Sequence, residues 1–335
     1  MKIAIDVHGG DNAPVAPIMG ALAALKEKPD FEIMLVGRCE NIADYLVGVD
    51  YDKSRISVLD AREIISPDEK PTEAIKTKRD SSMMRCFSGL ANGECDCMVS
   101  AGSTGALLIG ATFIVKRIKG LKRPAIATLF PVADGKGVML LDCGANVDCK
   151  SEYLLQFAIM GSVYMKAVMG IENPRVGLIN NGTEQGKGNE LTKAAYVLLN
   201  AESGINFAGN CEARDLMSGD FDVLVCDGFV GNAILKATEG AAGIIMSALK
   251  SELTMSFRAK MGAVIAKKAF VCLKKRFDYK EYGGAPFLGV AGGVIKAHGS
   301  SDEKAFKSAV LQAYALDKGR VVEKISREMT GISED

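Results

Sequence analysis

CMVSAGSTGALLIGATFIV, residues 97–115, carries no charged side chain and approaches the roughly 20 residues that a helix needs to span a bilayer. The polar, glycine-rich SAGSTG at 100–105 divides it into a strand-sized CMV and a helix-sized ALLIGATFIV. A buried strand, a turn and a helix fit this division better than one membrane span. The same alternation of apolar run, glycine turn and helical pattern continues almost from end to end. That pattern predicts an α/β fold, a mostly parallel sheet with helices on both faces.

Strands are expected at 2–7, 32–36, 56–59, 97–100, 125–130, 138–142, 175–179, 205–208, 222–226 and 289–296. FPVADGKG at 130–137 reads as a turn between two strands, which predicts an antiparallel portion. No low-complexity linker, repeat or composition break divides the 335 residues. One domain over 1–335 is expected, with a basic amphipathic helical subdomain at about 250–285.

The 41 Lys and Arg residues balance the 41 Asp and Glu residues, so the electrostatic footprint of a nucleic-acid partner is missing. Nine cysteines without a CxxC read as buried thiols of a reducing compartment rather than disulfides or metal ligands. MKIAIDVHGGD at the start is a strand running into glycines, not a secretory leader, and a cytoplasmic location is expected.

The 36 glycines are about half as many again as the usual 7% would give, and they gather at strand ends, where α/β sheets bind ligands. Five such turns stand out. The first holds Gly9, Gly10 and Asp11; the second, Ser100, Gly102, Ser103 and Thr104; the third, NNGTEQGKGNE at 180–190, holds Lys187, Gly188 and Asn189. The fourth runs from Cys226 to Asn232 and includes Asp227, and the fifth holds His298, Gly299, Ser300 and Ser301. Several of these converging on one crevice would supply backbone N–H donors and positive helix ends, a combination that favours phosphate.

Two nucleotide motifs are absent. DVHGGDNA after the first strand lacks GxGxxG, and Gly182 to Lys187 is one residue short of a Walker A loop and is followed by Gly188. Lys187 is the leading candidate for an anion-binding cation. Both histidines of the chain, His8 and His298, fall in these turns. Ser300 and Glu303 have capping-box spacing, and Lys296 is expected on the same sheet face as His298.

One region is strongly basic. Lys250, Arg258, Lys260, Lys267, Lys268, Lys274, Lys275 and Arg276 face a single acid, Glu252, while Leu253, Phe257, Met261, Val264 and Ile265 recur at helical spacing. A helix of this kind suits an anionic membrane interface, and equally a helix packed on its own domain or on a dimer partner.

IAIDVHGGDNAP, VSAGSTGALL, RPAIATLFP, LDCGANVDCK, GTEQGKGNE, CDGFVGNAILK, YGGAPFLG and IKAHGSSDEKAF, in this order over nearly the whole chain, resemble the PlsX family of acyl-[acyl carrier protein]:phosphate acyltransferases. The first motif has DVHGGD where that family more usually has DAMGGD. Ser103 stands where Asn is common, and Asn180-Asn181 replace a more apolar pair.

The resemblance implies a three-layer α/β/α homodimer, similar to phosphate acetyltransferases and isocitrate dehydrogenases. It implies transfer of a fatty acyl group from acyl carrier protein to inorganic phosphate, for phospholipid synthesis; no cofactor is expected, and the sequence shows no dedicated metal-ligand cluster. It also implies a place on the cytoplasmic membrane surface, near a glycerol-3-phosphate acyltransferase, through a region like 250–276. Phosphate is its own oxygen nucleophile in that chemistry, so the protein must orient it and stabilise an oxyanion.

On this basis Lys187 and His298 are expected to grip the phosphate or the developing charge. Gly102 to Thr104, Gly188 and Ser300 would donate hydrogen bonds, Asn189 and Asn232 would orient the carbonyl, and Asp227 would orient a neighbour. Gly9, Gly10, Asp11, Ser100, Gly299 and Ser301 would complete the binding set. Acyl transfer from coenzyme A thioesters, a decarboxylating dehydrogenase and a noncatalytic membrane scaffold are the rival functions. Basic residues of 250–276 could instead meet the acidic surface expected of acyl carrier protein.

Overall fold

In the computed structural model, which describes residues 1–132, 137–271 and 283–331, the strands are apolar on both faces, and each feeds two cores at once. Ile3 and Ile5 of β1 (Lys2–Asp6) enter one core with Ile33 and Leu35 of β2 (Glu32–Gly37) and Val99 of β4 (Cys97–Ser100). The intervening Ala4, Met34, Val36 and Met98 enter the other. The period of two along a strand buried on both sides forces this division.

The first core is covered by α1 (Val15–Glu27), α2 (Cys39–Leu46), α6 (Ser151–Met169), α7 (Glu190–Ala201), α10 (Glu303–Lys318) and α11 (Val321–Gly331). The second is covered by α3 (Pro71–Thr77), α4 (Ser82–Ala91), α5 (Thr104–Gly110) and the first turns of α8 (Gly228–Thr254). The three-layer α/β/α arrangement is the expected one. Residues 97–115 divide as read, into β4, a turn, and α5 continued by a wider helical turn over Ala111–Val115.

The remaining strands are β3 (Ile56–Asp60), β5 (Ala125–Phe130), β6 (Val138–Leu141), β7 (Arg175–Asn180), β8 (Asn206–Glu212), β9 (Val223–Val225), β10 (Ala285–Leu288) and β11 (Gly293–Lys296). They form one sheet in the order β3-β2-β1-β4-β11-β10-β5-β6-β9-β7-β8. β10 is antiparallel to both β11 and β5, and β5 is antiparallel to β6; the other pairings between these strands are parallel. β6, β9, β7 and β8 therefore run opposite to β3, β2, β1, β4 and β11.

The antiparallel pair around 130–137 is as expected, although residues 133–136 of its turn lie outside the described residues. Of the strand expected at 289–296 only the second half forms, and an unexpected strand precedes it. APFL forms β10, Gly289 at φ 93° lies beyond its end, and β11 starts at Gly293. Pro286 hid the first strand, because proline argues against a central strand. It is accommodated here because β10 pairs over two residues with β11 and over the next two with β5.

Residues 250–271 also differ from the sequence reading. A break at Met255 and Ser256 separates α8 from α9 (Phe257–Ile265), and the Ser256 hydroxyl caps α9 by accepting from the Ala259 N–H. The apolar residues consequently do not form one stripe. Leu253 and Val264 line a groove between the two helices, whereas Phe257 is 78% and Ile265 83% exposed. Lys274, Lys275 and Arg276, and the rest of the expected subdomain from 272 to 282, lie outside the described residues.

Phe306 of α10 is fully buried beside Gly20 of α1, where the helices approach so closely that a Cβ on Gly20 would come within 2.9 Å of the Phe306 Cβ. Phe306→Ala is expected to lower stability by about 3–5 kcal/mol through lost burial and the cavity left behind, read as a lower midpoint of urea unfolding.

Candidate active site

β1 ends in an acid, Asp6, that is 1% exposed. Its Oδ1 accepts from the Ser82 hydroxyl at the start of α4, and its Oδ2 from the Ser100 hydroxyl at the end of β4, each at 2.6 Å. Ser100 Oγ in turn accepts from the Gly102 N–H at 3.0 Å. The Asp6 carboxylate thereby shapes the second glycine turn.

The first turn lies against it. A Cβ on Gly9 would sit 2.7 Å from the Gly102 nitrogen, so only glycine fits that approach. The fifth turn closes the cluster: the Asp11 N–H donates to the Gly299 carbonyl at 2.8 Å, and Asn12 Nδ2 donates to the Ser300 and Ser301 carbonyls at 3.3 and 3.1 Å. These three turns follow β1, β4 and β11, neighbouring parallel strands that deliver their ends to one place.

The other half of the sheet has its own buried acid. Asp142, just past β6, is fully buried. Its Oδ1 accepts from the Ile126 and Ala145 N–H groups at 2.9 and 3.1 Å, and its Oδ2 from the Asn146 N–H and side-chain amide at 2.6 and 2.9 Å. Burial pushes its carboxyl up, and these four donors oppose that shift. Gly228 and Gly231 at the start of α8 lie against Asp142 where any side chain would collide. Asp142 thus fixes the origin of the helix that crosses the site.

Two clefts flank the first turns of α8. The central one, about 190 Å³, is lined by Thr104, Cys143, Asn232, Lys236, Lys296 and His298 among others. The outer one, about 420 Å³, includes Asn180, Gly188, Asn189, Thr192, Asp227 and Phe229. The five turns therefore form two groups rather than one crevice, because the antiparallel switch at β10, β5 and β6 reverses the strands that carry the third and fourth. Neither cleft is lined by both Lys187 and His298. Asn232, one helical turn beyond Asp227, reaches the central cleft.

Several expected binding residues turn out to hold helix ends. Ser103 Oγ accepts from the Ala106 N–H at 3.5 Å, Asn189 Oδ1 from the Thr192 N–H at 2.9 Å, and Asp227 Oδ1 from the Val230 N–H at 2.9 Å. Each satisfies an N–H that the helix start leaves unpaired. The capping box read at Ser300 and Glu303 is not formed. Asp302 caps α10 by accepting from the Ala305 N–H at 2.9 Å, one residue before the helix, where a carboxylate is well placed.

Ser300 serves His298 instead. Its N–H donates to His298 Nδ1 at 3.2 Å, and its hydroxyl lies 2.9 Å from the same atom. With Nδ1 accepting, the neutral ring carries its proton on Nε2. Burial lowers the His298 pKa, with Glu239 opposing, so near neutrality the ring is a neutral donor rather than a second cation.

Lys187 is exposed, and its ammonium has no carboxylate partner among the described residues. The Lys187 carbonyl accepts from Asn180 Nδ2 at 3.2 Å, which anchors the loop by its backbone and leaves the side chain to reach outward. The cysteines at the two clefts are poor nucleophiles. Burial pushes Cys143 up to about 12 and Cys226 well above its ordinary value.

Asp6 and Asp142 were missed as organising groups. The signal was present in IAID and VMLLD, where an acid ends an otherwise apolar strand.

The fold and these glycine turns define a class, the α/β/α proteins built like phosphotransacetylases. A phosphotransacetylase from Streptococcus pyogenes superposes with a TM-score of 0.61 at 16% identity, covering 96% of this chain and 94% of that one. The EutD phosphotransacetylase of Staphylococcus aureus gives 0.58 at 15% identity, with 94% of each chain covered.

Within that class the chain belongs to the PlsX family of phosphate acyltransferases, whose model, described as fatty acid synthesis protein, matches residues 1–324. The phosphate acyltransferase of Clostridium perfringens strain SM101 is 50% identical over 335 residues, all of this chain and 98% of its relative. That of Clostridium acetobutylicum is 47% identical over 329 residues, 98% of this chain and 99% of its relative.

His8 stands where the family more usually has methionine. Both of its ring nitrogens are buried without a hydrogen-bond partner among the described residues, and burial lowers its pKa, with Asp6 opposing and Arg38 adding to the shift. The folded pKa lies below the unfolded one, so the unfolded chain binds the proton more readily, and stability falls as pH drops through the ordinary histidine value of about 6.5. His8→Met is expected to narrow the gap in melting temperature between pH 7.5 and 5.5; an unchanged gap would show that His8 carries none of it.

Proposed function

We propose that the protein transfers a fatty acyl group from acyl carrier protein to inorganic phosphate at the central cleft, with the glycine turns that follow β1, β4 and β11 serving the anion; Lys187 lines neither cleft. The observation that carries this reading is the central cleft itself. It joins Thr104, Asn232, Lys296 and His298 next to three interlocked glycine turns, in a chain half identical to phosphate acyltransferases.

The neighbouring thiols are held protonated, which suits a reaction in which phosphate itself attacks. One phosphate oxygen forms a bond to the thioester carbon, and the carbonyl electron pair moves to oxygen. The tetrahedral oxyanion then collapses and expels the carrier thiolate, which takes up a proton, leaving acyl phosphate. Donors fixed before the reaction, such as the Asn232 amide and the neutral His298 ring, stabilise charge that develops on the oxyanion without reorganising.

Asn232→Ala is expected to lower kcat/KM by about 10²–10³, the range seen when a charge-stabilising donor is lost. The assay follows phosphate-dependent release of carrier thiol, run in parallel with an acyl coenzyme A thioester. Wild-type turnover in the variant would remove Asn232 from the reacting site. Faster turnover of the coenzyme A thioester by the wild type would point to the rival donor.

The exposed Phe257 and Ile265 beside Arg258 and Lys260 support a further part of the reading, contact with an anionic membrane surface from the water-facing side. No described helix is long and apolar enough to cross a membrane. Replacing Phe257 and Met261 together with Glu is expected to abolish co-sedimentation with vesicles rich in phosphatidylglycerol while keeping turnover on soluble donor. Unchanged sedimentation would exclude α9 as the contact. Working as a homodimer belongs to the same proposal and is read by sedimentation equilibrium.

A further inference from the structure

Two lysines line the central cleft, Lys236 on α8 and Lys296 at the end of β11, and their surroundings differ. Lys236 Nζ is 2.8 Å from Glu239 Oε2, one turn further along α8, so its charge already has a partner at the cleft. Lys296 has none at ion-pair distance among the described residues. Its Nζ donates to the Ala101 carbonyl at 3.3 Å and to the Ala297 carbonyl. These carbonyls belong to the second and fifth glycine turns, so the side chain bridges the loops that Asp6 and Asn12 already hold together.

An ammonium has three N–H donors. Two are used on neutral carbonyls, and the third belongs to an amine whose side chain lines the cleft. Burying a cation without a counter-ion is costly, and a site that accepts an anion recovers that cost when the anion binds. We propose that Lys296 is a phosphate-binding residue of the central cleft, its third N–H and its unbalanced charge meeting a phosphate oxygen between the Ala101 and His298 turns. This rests on the acyl-phosphate reading for the identity of the anion, and goes beyond it by assigning the anion-binding cation to the half-buried Lys296, which lines the cleft, rather than to the exposed Lys187, which does not.

The charged groups around it make the role pH-dependent. Burial lowers the Lys296 pKa to about 8, Asp11 and Asp6 oppose that shift, and Lys236 adds to it. His298 faces the same cleft and titrates below its ordinary value. The free protein therefore holds Lys296 as ammonium at neutral pH and loses that charge above about 8. Affinity for phosphate dianion should fall in the same window.

The experiment is thermal protection of the full chain by inorganic phosphate from pH 6.5 to 9.5, which needs no acyl donor. For the wild type, the apparent Kd is expected to rise as pH passes about 8. Lys296→Met should raise Kd at pH 7.5 at least tenfold and flatten the alkaline limb, while Lys296→Arg, charged throughout, should bind with no alkaline loss. In turnover, the Met variant should raise KM for phosphate more than it lowers kcat. Phosphate binding by the Met variant as tight as the wild type's, or a wild-type Kd that is level from pH 7.5 to 9.5, would overturn the proposal. If the Met variant does not fold, the wild-type profile and the Arg variant still decide. Intact phosphate binding without acyl transfer in the wild type would sink the enzymatic reading and leave this one standing.

Discussion

A carboxylate with almost no water around it holds the central cleft together. Asp6 is buried at the end of β1, and a buried ionised acid is tolerated only when its oxygens are well supplied with donors. The supply comes from Ser82 and Ser100, on the two elements that must meet β1 for the cleft to exist. Hydrogen bonds to a charged group contribute about 1.5–3 kcal/mol each, so the carboxylate locks α4 and β4 against β1 more firmly than apolar contact alone. Because Ser100 also receives the Gly102 N–H, the shape of the SAGSTG turn follows from that one acid. Asp142 plays the matching part in the other half, collecting four N–H groups and leaving room for glycines of α8 alone.

Joining these two halves is a problem of strand direction. Parallel strands deliver their ends, and the turns that follow, to one edge of a sheet, but β6, β9 and β7 run opposite to β1, β4 and β11. The turns after them therefore cannot all surround one point. α8 resolves this by starting at β9, with Asp227 as its cap, and passing along the sheet so that Phe229 faces one cleft while Asn232 and Lys236 face the other. A helix of this kind transmits the position of Asp142 to the central cleft, where Asn232 lies within 4 Å of the space beside Gly144.

Much of this was legible in the sequence, and the parts that were not share a cause. Strands buried on both faces are continuous apolar runs, so nearly all of them could be placed from Ile, Val, Leu and Met alone, and the glycine turns marked their ends. Polarity was harder. Nothing in the alternation of strand and helix says that APFL folds back between β11 and β5, because Pro286 masks a strand too short to show periodicity. The same missing strand concealed the reversal that separates Lys187 from His298. Side-chain roles were legible as chemistry but not as partners. Asn189, Ser103 and Asp227 are residue types that bind anions and also cap helices, and only their distances to Thr192, Ala106 and Val230 reveal the capping.

If phosphate binds in the central cleft as proposed, the balance of charge there suits its use as a nucleophile rather than its storage as a ligand. A ring of fixed cations would bind the dianion tightly and drain electron density from the oxygen that must attack. The cleft instead offers one lysine with no carboxylate at ion-pair distance among the described residues, a second whose charge Glu239 shares, and a histidine whose pKa is lowered by partial desolvation. Neutral donors orient the oxygens at little cost to their basicity, and the low-dielectric walls of Ile126, Leu129 and Leu235 make each such contact count for more than it would in water. The same walls that raise the thiol of Cys143 and keep it from competing as a nucleophile also lower the amine of Lys296. Burial therefore acts in opposite directions on the two groups: it raises the thiol and lowers the amine.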